Sequence, residues 1–169
     1  INRSDNIDEK TTYLCIACKH NKLELVEKLI QEGANLEVEY GKSPIVYSFE
    51  NKNLDIIKLL HTNGAKIPKI LLLKAVKNFK KDKREFEESR DPNSYMNRMN
   101  RMNIIDPMDM IRYFVEEVGI SVNIAGYLEP DNKLLPREIA KEESNRKLTP
   151  LKIAMEHRNL ELFTYLVDN

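Results

Sequence analysis

The fold is decided by residues 12–37, which read TYLCIACKHNKLELVEKLIQEGANLE. Apolar side chains fall at residues 23, 25, 26, 29 and 30 of this stretch, a spacing typical of one broad helix face. Gly33 follows ten residues after Leu23, and glycine is the residue type that ends a helix, because the chain turns there through a left-handed conformation. The stretch predicts a helix, a tight turn, a second helix and a glycine stop.

The same apolar offsets, 0, 2, 3, 6 and 7, recur three more times along the chain, in sets that begin at Leu54, Met108 and Leu160. One of these positions, His61, is not apolar. A small residue, which lets two helices approach closely, stands six places before three of the sets: Ala17, Ser48 and Ala154. Threonine or serine precedes the first helix of these units at Thr12, Ser43 and Thr149, where a hydroxyl can cap the helix. Repetition of this kind predicts stacked units that share one core.

These columns resemble the ankyrin repeat, whose pattern is Thr-Pro-Leu-His-x-Ala, a Gly-His-Leu-Glu-Val-Val type second helix and Gly-Ala-Asp-Val-Asn. The likeness is clearest in residues 12–37, 43–67 and 149–169. The histidine column of the pattern holds Cys15, Val46 and Lys152. The glycine that opens the second helix is replaced by Asn21, Lys52 and Arg158. The resemblance implies an all-α solenoid of antiparallel helix pairs with short β-hairpin or loop linkers.

A single array over residues 1–169 is expected, with repeats at about 8–37, 41–68, 69–123 and 147–169. An insertion at about 78–104 divides the third repeat, and a loop insertion at about 124–147 follows it. The first helix of repeat three, predicted at 70–77, is expected to run on into solvent because of three i,i+4 charge pairs: Lys81–Glu85, Lys83–Glu87 and Arg84–Glu88. Beyond it, helical spacing predicts a projecting finger with Tyr95, Met99 and Met102 on one face.

Composition argues against two classes of partner. Lysine and arginine number 27, as do aspartate and glutamate, so the chain lacks the basic excess on which nucleic-acid binding usually depends. No apolar run is long enough to span a bilayer, so membrane insertion is not expected. A chain that is 41% hydrophobic and 32% charged is expected to fold.

Catalytic, cofactor and metal sites are not expected either. Cys15 and Cys18 have Cys-x-x-Cys spacing, but they lie in a predicted first helix without a second cysteine pair, which favours buried structural cysteines. His20, His61 and His157 are widely separated, and adjacent carboxylates such as Glu116 and Glu117 diverge around a helix. Two cysteines are too few for a disulfide framework, which favours a reducing cytoplasm, or a host cytosol if the protein is a secreted effector.

The ankyrin resemblance implies a non-catalytic scaffold that binds a partner protein on its concave face, formed by hairpin tips and exposed first-helix positions. Alignment carries that face over to Glu9, Thr11, Lys19, His20, Glu39, Tyr40, Lys42, Glu50, Asn51, Lys77, Asn78, Glu156 and His157. Tyr95, Met99 and Met102 of the finger are further candidates, because methionine surfaces can repack around varied partners, but a methionine stripe at helical spacing more often packs within its own protein. Tyr40, an aromatic residue next to Gly41, is expected to be the best anchor.

Two other hypotheses stay open. The array could be the targeting module of a larger enzyme or host-directed effector, and the apolar last helix around Phe163 favours some continuation, because arrays need a polar cap. A small enzyme with its site on the two insertions is the other hypothesis, and a deep pocket of converging ionisable groups there would favour it.

Overall fold

The structure is a computed structural model that describes residues 9–38, 41–90, 105–126 and 147–169. Eight α-helices form within these ranges: α1 (Glu9–Lys19), α2 (Leu23–Gln31), α3 (Pro44–Glu50), α4 (Leu54–Thr62), α5 (Ile70–Arg90), α6 (Pro107–Arg112), α7 (Pro150–Glu156) and α8 (Leu160–Asp168). A π-helical turn, Tyr113–Glu117, continues α6. In place of strands, the described ranges hold an isolated antiparallel bridge between Gly126 and Leu148.

Contacts between Cα atoms divide the chain into two compact units. The first unit comprises Ile1–Ile67 with Asn103–Ile105, and the second comprises Pro68–Met102 with Asp106–Asn169. The first unit holds helices α1 to α4, and the second holds α5 to α8.

Three tight turns join the paired helices, at residues 20–22, 51–53 and 157–159. Each turn contains one residue in the left-handed region, with φ of 58° at Asn21, 57° at Lys52 and 51° at Arg158. These are the positions at which the ankyrin pattern has glycine, and a side chain there is strained because Cβ approaches the following carbonyl oxygen. The residues that replace glycine therefore keep the turn geometry, but they lower the stability of the fold.

Polar side chains cap several helix starts. Asn53 and Asn159 accept hydrogen bonds from the backbone N–H groups of Ile56 and Leu162, at 3.0 and 2.9 Å, and so begin α4 and α8. Thr149 caps α7 as predicted, accepting from Lys152 N–H at 3.2 Å. The expected cap at Thr12 is wrong, because α1 begins earlier, at Glu9.

The predicted glycine stops are confirmed at the ends of α2 and α4. Gly33 and Gly64 have φ of 80° and 100°. The N–H of Ala34 then donates to the carbonyl of Leu29 at 3.0 Å, which closes the helix end in the manner of a Schellman motif.

In the first unit two helix pairs stack on each other. Helix α1 packs against both α2 and α3, and α4 packs against α3 and α2. The predicted small-residue column lies in this contact, because Ala17 and Ser48 are fully buried. A hydrogen bond of 2.7 Å from the Lys66 N–H to the Glu37 carboxylate joins the segments that follow the two pairs.

In the second unit α5 packs against α6 and α7, and α7 packs against α8. Phe79, Ile111 and Phe114 are buried in its core. The Tyr165 hydroxyl donates to Glu116 at 2.8 Å, so residues 108–122 and 149–167 are neighbours as the repeat pattern predicted. Helix α5 continues to Arg90, which confirms that the first helix of repeat three runs on.

Gly126 and Leu148, which lie near the two ends of the predicted loop insertion, are adjacent in the structure. Gly126 and Leu148 exchange two backbone hydrogen bonds of 3.0 and 2.8 Å. A Cβ at Gly126 would lie 2.7 Å from Cδ1 of Leu73, so the backbone approaches α5 as closely as only glycine allows without a shift.

The repeated apolar sets are not buried uniformly. The residue at offset 6 is buried in every set, as are the first four members in α4. In contrast, Leu25 is 45% exposed and Leu160 is 76% exposed. The wide apolar faces of α2 and α8 are therefore only partly covered by described residues.

Helix α2 allows a matched test of this packing, because it carries the same residue type on both sides. Leu29→Ala removes a buried side chain and is expected to lower the free energy of unfolding by about 2–5 kcal/mol. Leu25→Ala removes an exposed one and should change it by less than about 0.5 kcal/mol. Urea denaturation of both variants measures the difference, and equal losses would contradict the packing of α2.

The strain at the turns predicts an unusual gain from glycine. Lys52→Gly is expected to raise the free energy of unfolding by about 1 kcal/mol, because it relieves the left-handed conformation of residue 52. Lys58→Gly removes the same charge from the middle of α4 and should lower it by about 1 kcal/mol. Thermal unfolding of the two variants checks the opposite signs, and a loss in both would show that residue 52 is unstrained.

Candidate functional site

In the first unit, the predicted partner-binding residues lie at the ends of the stacked first helices. Lys19 and His20 are exposed at the end of α1, and Lys42 and Glu50 are exposed at the two ends of α3. The Lys42 ammonium donates to both carboxylate oxygens of Glu50, at 2.6 and 2.9 Å, and lies 5.9 Å from the centre of the Tyr47 ring. The hydrogen bond to Glu50 raises the pKa of Lys42. These contacts place the two opposite charges side by side on the surface.

Asn51 has a structural role in addition to its predicted one. Its amide nitrogen donates to the carbonyls of Cys18 and Lys19, at 2.9 and 2.8 Å, and so adds side-chain hydrogen bonds at the end of α1, where helix carbonyls lack intrahelical partners. The neighbouring Asn53 amide donates to Asn21 at 3.0 Å. Two asparagines of the second repeat therefore tie its turn to the turn of the first.

Two other predicted partner-binding residues, Glu9 and Thr11, lie in α1. Glu39 and Tyr40 of the hairpin tip lie outside the described residues, as do Tyr95, Met99 and Met102 of the predicted finger. The assignment of Tyr40 as the anchor stays a prediction.

In the second unit, the structure brings Lys77, Glu156 and His157 together, and leaves Asn78 exposed on α5 away from them. The three residues line an open groove of about 750 Å³ between α5 and the turn from α7 to α8. Five of the lining residues are cations: Lys77, Lys80, Lys81, Arg84 and Arg158. We call this feature the basic groove. Leu160 lines it as well.

The charge pattern beyond residue 77 predicts a helix that runs on into solvent, and it assigns no common role to the cations of the groove. A usable signal is present, because Lys77, Lys80, Lys81 and Arg84 fall at i, i+3, i+4 and i+7, the spacing of one helix face. The predicted continuation of the helix is sufficient to place these four residues on one side. The sequence pattern does not place Arg158 at the groove, because Arg158 lies in the turn after α7 and not on α5.

Lys83 lies outside the lining of the basic groove. Its ion-pair partners are Asp106 and Glu161, so the predicted pairing with Glu87 is wrong. Its ammonium lies 2.9 Å from an Asp106 carboxylate oxygen and 3.6 Å from Glu161. The other two predicted pairs form, with Lys81–Glu85 at 3.8 Å and Arg84–Glu88 at 4.0 Å. Asp106 caps the start of α6, and α6 packs against α5. This packing brings the Asp106 carboxylate within reach of Lys83.

The electrostatics of this pair favour its charged form. Burial alone would raise the pKa of Asp106, but the N–H of Met108 and the ammonium of Lys83 together lower that pKa below its ordinary value. The hydrogen bond to Asp106 raises the pKa of Lys83 in turn. The pair therefore fixes the base of α6 against α5.

The two cysteine thiols have the chemistry of buried structural groups. Cys18 is fully buried, and burial raises its pKa to about 11 despite a hydrogen bond with Ser48 that lowers it. Burial also raises the pKa of Cys15. A thiol with a raised pKa is a poor nucleophile and a poor metal ligand, because the thiolate is the reactive form. Within the described ranges, no three His, Cys, Asp or Glu side chains are placed to hold a metal ion.

Stacked helix pairs with equivalent left-handed turns define a class, the α-helical repeat protein. The family model "Ankyrin repeats (3 copies)" matches residues 1–70, so this part of the chain is similar to ankyrin repeats. The predicted all-α fold class is confirmed. A search among curated proteins found none that matches the chain. Ankyrin repeats generally bind proteins and are typically non-catalytic. None of the described helices has the length and apolar character to cross a membrane.

The Lys83–Asp106 pair predicts a pH-dependent stability. Asp106→Asn keeps a capping side chain but removes the charge, and at neutral pH it should lower the free energy of unfolding by about 1 kcal/mol. The pKa of Asp106 is lowered in the folded state, so the pair stabilises the protein above the unfolded pKa of about 4 and loses its effect as pH falls further. Urea denaturation at several pH values should show the two proteins converging in acid.

Asp109→Asn serves as the control, because Asp109 lies on the same helix in an exposed pair with Arg112 at 3.9 Å. Its effect should be smaller at neutral pH, since exposed pairs contribute little. Equal effects of the two substitutions at every pH would show that the Lys83–Asp106 pair does not stabilise the fold.

Proposed function

We propose that the protein is a non-catalytic scaffold that binds a partner protein through the exposed ends of its first helices and the hairpins between repeats. The observation that carries the proposal is the stacking of α1 on α3 within the residues that match ankyrin repeats. Stacking leaves Lys19, His20 and Glu50 exposed at the same ends of neighbouring helices. The same surface would serve a module that targets a larger enzyme or a host-directed effector.

The paired charges of this surface support a binding role. Lys42 and Glu50 are joined by two hydrogen bonds, so a partner meets an exposed pair of opposite charges at the end of α3. Charged groups at an interface mainly determine specificity and the rate of encounter. The pair therefore suits recognition of a particular surface.

The proposal is also supported because different side chains connect the repeats and form the exposed surface. Asn51, Asn53 and Glu37 connect the repeats through hydrogen bonds to neighbouring turns and backbone groups. Lys19 and His20 stand exposed beside this framework. Their substitution can change the partner without changing the fold. The free cysteines Cys15 and Cys18 suit a reducing compartment, which under this proposal is the cytoplasm, or a host cytosol for an exported protein.

A charge exchange tests the proposal without breaking the ion pair. Lys42→Glu combined with Glu50→Lys preserves the pair but reverses the pattern that a partner meets. Proteins captured from a cell lysate by the tagged wild-type chain are identified, and the affinity of a purified candidate is measured by calorimetry. We expect the exchange to weaken binding by about tenfold or more, because charge complementarity is lost.

The matched control exchanges Glu24 and Lys28, two exposed residues of α2, as Glu24→Lys with Lys28→Glu. This variant should bind as the wild type does, because second helices lie away from the proposed face. Tyr40→Ala extends the test to the hairpin tip and should also weaken binding. A partner that is lost with the α2 exchange and retained with the α3 exchange would contradict the proposal.

A further inference from the structure

We infer that the basic groove of the second unit binds an acidic peptide segment, with an apolar side chain of that segment over Leu160. This inference deepens the proposed function and rests on it, since Lys77, Glu156 and His157 belong to the predicted partner-binding set. It names the chemistry of the partner, namely a stretch of chain rich in aspartate and glutamate.

The first support is the charge of the groove. Lys77, Lys80, Lys81, Arg84 and Arg158 contribute five cations, and Glu156 is the one carboxylate among the described residues of the lining. Lys81 and Arg84 have long, exposed i,i+4 contacts with Glu85 and Glu88. Such pairs are worth little, so both cations remain able to attract an anion.

The second support is the way in which the fold creates the groove. In the first unit, α1 ends at Lys19, and Asn51 of the next repeat covers its last carbonyls. His157 occupies the place of Asn51 in the second unit, but there the first helix is α5, which continues to Arg90. The turn after α7 therefore lies beside a continuing helix face that carries Lys80, Lys81 and Arg84.

The third support is that the lining is suited to a peptide more than to a nucleic acid. Leu160 is 76% exposed at the groove, and an apolar side chain covers it favourably. Glu156 in the lining repels a continuous phosphate backbone, whereas a peptide can place an uncharged residue opposite it. The whole chain also lacks the excess of basic residues on which nucleic-acid binding usually depends.

The probe for the test is a short fluorescein-labelled peptide of alternating glutamate and serine with one central leucine. Its binding to the full chain is followed by fluorescence anisotropy at low and at high salt, and the affinity should fall as salt rises. Two further probes are the same peptide with glutamine in place of glutamate, and a single-stranded oligonucleotide of equal charge. We expect the glutamate peptide to bind most tightly of the three.

Variants assign the binding to the groove. Lys80→Gln with Arg84→Gln should weaken the glutamate peptide by about tenfold or more, through loss of two cations. The matched control, Lys69→Gln with Lys74→Gln, removes two exposed cations outside the groove and should have a much smaller effect. Arg158→Gly removes a cation where φ is 51°, a conformation that glycine adopts readily, so a weaker affinity in this variant does not reflect unfolding.

Several results would overturn the inference: no binding of the glutamate peptide, equal losses in the groove and control variants, or tighter binding of the oligonucleotide. Failure of the groove is distinguishable from failure of the proposed function. If the peptide does not bind while the Lys42 and Glu50 exchange still abolishes partner capture, the scaffold function is supported and the assignment of the groove is wrong. If the peptide binds as expected but that exchange changes nothing, the assignment of the groove is supported and the first-helix surface is not the binding surface.

Discussion

Short helices impose the constraint on which this structure depends. Helices α2 and α3 contain nine and seven residues, and isolated helices of that length are marginal in water because nucleation is costly. Each must therefore bury its apolar side against a neighbour, as Val26 and Ile45 do. Close approach is possible because Ala17 and Ser48 are small, and the tight turns keep each pair in contact. Stability is thus a property of the stack and not of one helix.

Much of the fold could be predicted from the sequence, because the features that create it are local and repeated. The glycine stops at Gly33 and Gly64, the cap at Thr149 and the extension of the first helix of repeat three follow from residue type and spacing alone. Two kinds of fact could not. Lys83 prefers Asp106, which is distant in sequence, and the exposure of Leu160 depends on which neighbours cover its helix. For the candidate site, sequence located Lys77 and His157 but not Arg84, since their convergence depends on how α5 passes the turn after α7.

The two units show how one repeated motif can present different surfaces. In the first, the end of α1 is closed by the amide of Asn51, and the exposed charges are balanced by the Lys42–Glu50 pair. In the second, α5 extends for 21 residues, and the equivalent turn meets a row of cations. A difference in the length of one helix, with the turn geometry unchanged, converts a balanced surface into a basic one.

The bridge between Gly126 and Leu148 has a consequence for how this chain can change over time. Two backbone hydrogen bonds hold Gly126 and Leu148 together, so the two ends of the chain between them are fixed at one place. The entropy of closing a loop rises only slowly with its length, by roughly 0.6 kcal/mol for each doubling. A change in the length of the chain between these two residues is therefore expected to cost little loop-closure entropy, which makes the bridge a suitable place to insert an epitope or a reporter domain.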